Sequence, residues 1–446
     1  MGPWTLWVGA AWAGELPHAE LHGDVKSFFV AGAPRPWLGF SDEALQTLGM
    51  SEDEALDAFG LAADPYAQGV LGGRLKGTAT MGVARLDVHW AFAAQTAGQD
   101  TSVGGLSTGV GLSAPELLPL TWSPDTGDAL SIQHRLDRLA LSAKLPHVDL
   151  ALGRQPISFG AGRIFTPLDL VNPFHPATLD TEYKPGVDAL RADVYAGVSG
   201  RVTAVAAWAG QPVVGEEAVD PSGALAERLV LAAAGQTTVG VTDLLGFAGA
   251  VRGEPVFGLG AVSALGPVGV HGEASLTLPQ DGEDPFVRAV LGADGRPTAK
   301  TTLMAEAYLQ TFGATDPADY LDALDSARFA RGEVWQLGQI YAAVAVSQEL
   351  TPLVYANLSV ISNLRDPSAL LALGGSWSVA DNAEVGFGAY LGLGAAPDPV
   401  DLDLAVDPTT GALGVVAPDT ATLAGSVNSE FGLYPGAAYV QVRTYF

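Results

Sequence analysis

The segment VARLDVHWAF, residues 83–92, places Arg85, Asp87 and His89 on one side of an extended chain and Leu86, Val88, Trp90 and Phe92 on the other. Side chains of a strand alternate between its two faces, so a segment written this way belongs where an apolar medium meets a polar one. The pattern recurs. In ALRADVYAGV, Arg191, Asp193 and Tyr195 oppose Leu190, Ala192, Val194 and Ala196. In KTTLMAEAYLQ, Thr302, Met304, Glu306, Tyr308 and Gln310 oppose Thr301, Leu303, Ala305, Ala307 and Leu309. Repetition of one two-faced strand constrains the fold more than any other feature, because the apolar faces must merge into one continuous surface. Helical spacing is found in Ser41–Gly60, where Ser41 and Ser51 precede acidic residues and predict two short capped helices.

An all-β chain is also what the composition favours. Of 446 residues, 55 are Gly and 29 Pro while only 16% are charged, which suits many strands joined by turns. Although 48% of residues are hydrophobic, no run of about 20 apolar residues could cross a bilayer as a helix. The formal charge of −27 makes nucleic acid an unsuitable partner, since phosphate binding rests on Lys and Arg. Zero Cys excludes disulfides, thiolate chemistry and a cysteine-borne lipid anchor.

The strands number about eighteen, with sixteen as the alternative; residues 69–94 form either one long strand or a hairpin turning at TATMG, and the need for an even count favours the hairpin. An even count, short connections such as KLPH, GVSG, LGP and ADNA alternating with long ones, and aromatics near strand ends predict a transmembrane antiparallel barrel rather than a soluble sandwich. Short turns then face the periplasm and long loops the exterior. Residues 14–446 read as this single domain. Residues 1–13, MGPWTLWVGAAWA, read as the latter part of a signal peptide ending at Ala11-Trp12-Ala13, with an ordinary first strand as the alternative.

The last strand, AAYVQVRTYF, carries Ala438, Val440, Val442, Thr444 and Phe446 on one face. This ending, with Tyr445 and Phe446, resembles the signature by which Gram-negative outer-membrane proteins engage the barrel-assembly machinery. LPHVDLALGRQPISFG (145–160) and LDLVNPFHP (168–176) resemble patterns of large porin-like families that include alginate-exporter-type channels. The resemblance implies an integral outer-membrane barrel, surrounded by lipid and passing small polar solutes.

A barrel of this size has room for an aqueous lumen. Its predicted lining includes Arg85, Asp87, His89, Arg138, Arg191, Asp193 and Glu306. Residues 157–186 are too long and Pro-rich for a turn and read as a constriction loop offering Arg163, Asp169, His175 and Lys184, with Phe159, Phe165 and Phe174 as anchors, an external loop packed on the barrel rim being the alternative. Basic residues on the lumen faces favour anions, whereas Asp87 and Asp193 beside Arg85 and Arg191 oppose that preference. Acids gather in loops, including Asp398, Asp401, Asp403 and Asp407, with a spacing unlike an EF-hand and suited to solvation. No metal, cofactor or catalytic residue is expected. No G-x-S-x-G or H-E-x-x-H motif occurs. A passive channel is the leading reading; a non-conducting barrel that binds partners through its loops is the rival, and an enzyme the remoter one. The oligomeric state stays open.

Overall fold

The computed structural model describes residues 18–446 apart from 60, 62–63, 97–113, 128, 175–179, 211–224, 281, 407–412 and 417. Candidate signal residues 1–13 therefore lie outside the described residues, as do His175 and Asp407. Eighteen long strands build the wall. They are β1 His18–Ala33, β2 Tyr66–Met81, β3 Ala84–Thr96, β4 Leu130–Lys144, β5 Val148–Gln155, β6 Val187–Ala196, β7 Gly200–Trp208, β8 Leu229–Val239 and β9 Thr242–Val251. The second half comprises β10 Glu254–Leu265, β11 Val268–Thr277, β12 Phe286–Thr298, β13 Thr301–Gln310, β14 Ile340–Thr351, β15 Val354–Asn363, β16 Ser368–Ala380, β17 Ala383–Leu393 and β18 Gly436–Tyr445.

Each strand pairs antiparallel with the next, and β1 pairs both with β2 and with β18, which closes the sheet. Closure leaves no free edge, the condition under which a sheet can sit in hydrocarbon. The hairpin expected within residues 69–94 is present, turning at Gly82 and Val83, which settles the count at eighteen.

The two faces are inverted relative to a soluble protein. Leu139, Leu152, Leu190, Leu231, Leu259, Leu291 and Phe387 stand exposed on the outside, Leu259 at 72%. Buried inside are Lys26, Arg74, Arg138, His271, Glu273, Arg288, Glu306 and Gln310. A water-soluble chain would not expose an apolar surface of this extent.

Connections at one end are short and at the other mostly long. Two at the long end depart from expectation: residues 252–253 and 364–367 are as brief as turns. The first is possible because Arg252 and Gly253 both take positive φ, 53° and 88°, the backbone of a tight hairpin turn. Arg252 accepts that strained conformation with its guanidinium bonded to the Ala209 carbonyl. The expected helices form at Asp42–Leu48 and Glu52–Ala58, capped by Ser41 and by a Ser51–Glu54 capping box. They pack on a small sheet of Leu38–Phe40, Val400–Val406 and Leu413–Val416 through Phe40, Ala44, Ala55 and Leu402. The first and last long loops thus share one layer.

Candidate functional site in the barrel lumen

Residues 156–186, here loop 3, leave β5 and run inward to meet inner faces elsewhere on the wall. Glu273 on β11 accepts backbone N–H bonds from Ala161, Gly162 and Leu168. Glu306 on β13 accepts from Arg163 (2.7 Å), Ile164 (3.0 Å) and Phe165 (2.9 Å), and its other partner is His271 Nε2 at 2.8 Å. Consecutive amides wrapping one carboxylate form an anion-binding nest, with the protein's own side chain as the anion. Gly160 makes the approach possible, because a Cβ there would come within 2.6 Å of the Glu273 carboxylate. Phe165 then stacks on Tyr308 with ring centres 4.7 Å apart, and Phe159 meets Phe247 edge-on.

The returning half of the loop docks on β1, β2, β4 and β18 through charge. Lys26 reaches Asp180 (2.5 Å) and Glu182 (2.8 Å), and Arg443 reaches Glu182 (3.4 Å). Lys26, Arg74 and Lys76 surround the Tyr183 ring at 5.2, 4.8 and 4.4 Å. Lys184 bonds both oxygens of Asp169 within the loop.

Among the sequence-predicted residues, Arg85 and Asp87 form an ion pair at 2.7 Å on the inner face of β3, and Arg191 pairs with Asp193 on β6 at 2.8 Å. Arg138 is buried against Asp137 and also donates to the Lys184 carbonyl. His89 lies level with Lys76 and Arg138 in neighbouring strands. Glu306 anchors loop 3 instead of facing open lumen. Arg163 is different: its backbone is tied to Glu306 while its side chain is exposed, and no ion pair to it occurs among the described residues. Tyr445 turns inward toward Glu182, and Phe446 continues the outer row, 64% exposed, with reciprocal backbone bonds to Gly23.

Strict alternation misplaces Asp137. With Arg138 facing inward, its neighbour should face outward, yet both are buried together with Arg135. The cause is a bulge: His89 pairs with Arg138 but Trp90 pairs with Leu136, leaving Asp137 as the extra residue. Asp137 then joins Arg74 and Arg138. Arg154 of the GRQ segment is also fully buried, bonded to Asp188 at 2.8 Å and Glu116 at 3.1 Å. Glu116 belongs to a distant loop, so no local spacing could connect the two. Glu273 was legible in the alternation VGVHGEASLT but not distinguishable there from a solvated lumen acid.

A second loop, between β17 and β18, reaches the same cluster. In residues 394–435, Phe431 joins the cluster of Phe165, Tyr308, Tyr341 and Leu370. Glu430 beside it accepts from the Leu337 N–H, the Tyr341 hydroxyl and Asn363 Nδ2. Burial outweighs those three donors and pushes the Glu430 carboxyl up to about 7.

No family model matches the chain, and no curated protein matches it. Solved structures do. Pseudomonas aeruginosa OccD3 (OpdP) aligns at TM-score 0.51 and 8% identity, covering 100% of this chain and 93% of its own. Pseudomonas aeruginosa OpdK, solved with vanillate, aligns at TM-score 0.52 and 9% identity, with coverages of 96% and 98%. Acinetobacter baumannii OccAB2 aligns at 0.51 and 8%, again with 96% and 98%. The fold is that of the outer-membrane porins. At such identities the likeness lies in architecture, and the side chains above belong to this chain alone.

Proposed function

We propose that this barrel is an integral outer-membrane channel through which small polar solutes diffuse passively, with a weak preference for anions. The carrying observation is loop 3: tethered across the polar interior by Glu273 and Glu306, it leaves the Arg163 side chain exposed and without an ion pair among the described residues. An unpaired guanidinium on a constriction lowers the barrier for anions and raises it for cations. The preference is weak because Arg85, Arg138 and Arg191 each lie against a carboxylate. Acids in the outer loops are screened beyond a Debye length of about 8 Å. OpdK was solved with vanillate, a small organic anion, and solutes of that size are the first to test here.

Purified protein in a planar bilayer gives discrete conductance steps and a reversal potential of anionic sign in a salt gradient. Arg163→Glu moves that potential toward cations while leaving barrel assembly unchanged. Folded, inserted protein that carries no current sinks the channel reading. That outcome favours the non-conducting barrel, for which the observation is that two loops meet at Phe165 and Phe431 inside the lumen.

A further inference from the structure

Arg288, on the inner face of β12, is 3% exposed. Its Nη1 donates to the Glu333 backbone carbonyl at 3.2 Å, and its Nε and Nη2 have no hydrogen-bond partner. Among the described residues it belongs to no ion pair. Nearby carboxylates act on it through space while their direct ion pairs go elsewhere: Glu333 to Arg328 (3.1 Å) and Arg331 (2.9 Å), and Asp169 to Lys184 (2.5 Å). Arg288 lines a cavity of about 20 Å³ together with Phe165 and Thr166 of loop 3, Phe174, Tyr308 and Glu333. Such a space admits one water-sized species.

We infer that this cavity binds a monatomic anion, chloride in physiological media, seated on Arg288 between loop 3 and residues 333–336. A buried guanidinium with two of its nitrogens lacking any acceptor is strongly disfavoured. A halide accepts from every N–H aimed at it and matches the charge. Water supplies an acceptor but no charge, and needs acceptors for its own hydrogens. The aromatic part of the cavity lining, Phe165, Phe174 and Tyr308, suits a large, weakly hydrated ion better than a small, strongly hydrated one. Because the ion touches both segments, its binding stabilises the folded position of loop 3.

Crystals soaked in bromide provide the direct test. An anomalous peak within hydrogen-bonding reach of Arg288 Nε and Nη2 is expected in the native protein and absent in Arg288→Met. A native cavity that holds only water and gives no anomalous signal overturns the assignment. Melting of the native barrel gives a readout that needs no variant. Chloride or bromide raises the midpoint saturably by a few degrees over gluconate at equal ionic strength, whereas identical midpoints count against the site. Neither measurement depends on whether the barrel conducts.

Discussion

Loop 3 is held at its two ends by opposite chemistry. On β11 and β13 the wall offers carboxylates and the loop answers with backbone amides. On β1, β2 and β18 the wall offers cations and the loop answers with the side chains of Asp180, Glu182 and Tyr183. An amide is present whatever the loop sequence, so the first attachment fixes the backbone path. The second depends on particular side chains and sets the local charge. Position and electrostatics of the same loop are thereby separable.

The largest expected effect comes from removing the backbone anchor. Glu273→Gln with Glu306→Gln leaves up to six amides competing for weaker neutral acceptors, and hydrogen bonds to a charged group are worth about 1.5–3 kcal/mol each. Loop 3 then detaches, which raises single-channel conductance and opens residues 160–168 to protease, while the barrel keeps its heat-modifiable mobility. Unchanged conductance with unchanged protection would break the distinction between the two attachments.

Removing the charged anchor has a different signature. Asp180→Asn with Glu182→Gln frees Lys26 and Arg443 without touching the amide contacts. Reversal potential moves further toward anions while conductance changes little. A conductance rise as large as that of the Glu273 and Glu306 pair would show that both attachments position the loop.

Glu430 extends the comparison to the second inserted loop. Its carboxyl is raised to about 7 in the folded loop from an ordinary value of 4.5, so folding favours the protonated form. That stabilisation is fully present below about pH 4.5 and is lost as pH rises through about 7, amounting to about 3 kcal/mol by linkage. Corrected for intrinsic exchange, amide protection of residues 428–434 falls across that upper range in the native protein and stays flat in Glu430→Gln. A flat native profile removes the titration.

The smallest effect is expected at the seam. A Cβ on Gly23 would stand 2.3 Å from the Phe446 ring, so Gly23→Val displaces an exposed side chain rather than a buried one. Barrel stability changes by about 1 kcal/mol, because Gly23 is buried beneath the exposed ring of the chain's last side chain, which can swing aside. The rate of assembly in vitro is the sensitive readout, and an unaltered rate in both Gly23→Val and Phe446→Ala would dismiss a role for this contact.

Much of this architecture was written locally. Alternation in segments such as residues 83–92 and 301–310 determined which side chains face lipid, because a two-residue period admits only two orientations. Parity and turn residues determined a closed barrel of about eighteen strands. Ser41 and Ser51 determined the two loop helices. Tertiary structure decided the rest. A bulge brought Asp137 inward against the local period, since register shifts depend on the neighbouring strand. Glu306 became an anchor rather than a free lining residue only because residues 163–165, 143 to 141 positions away in the chain, present their amides to it. Arg85 with Asp87 and Arg191 with Asp193 are local pairs two residues apart on one strand face, whereas Arg138 meets Asp137 through the bulge and the exposure of Arg163 follows from where loop 3 lands. A sequence states which groups carry charge; which charges meet is fixed by long-range packing, and Coulomb energy depends on that separation.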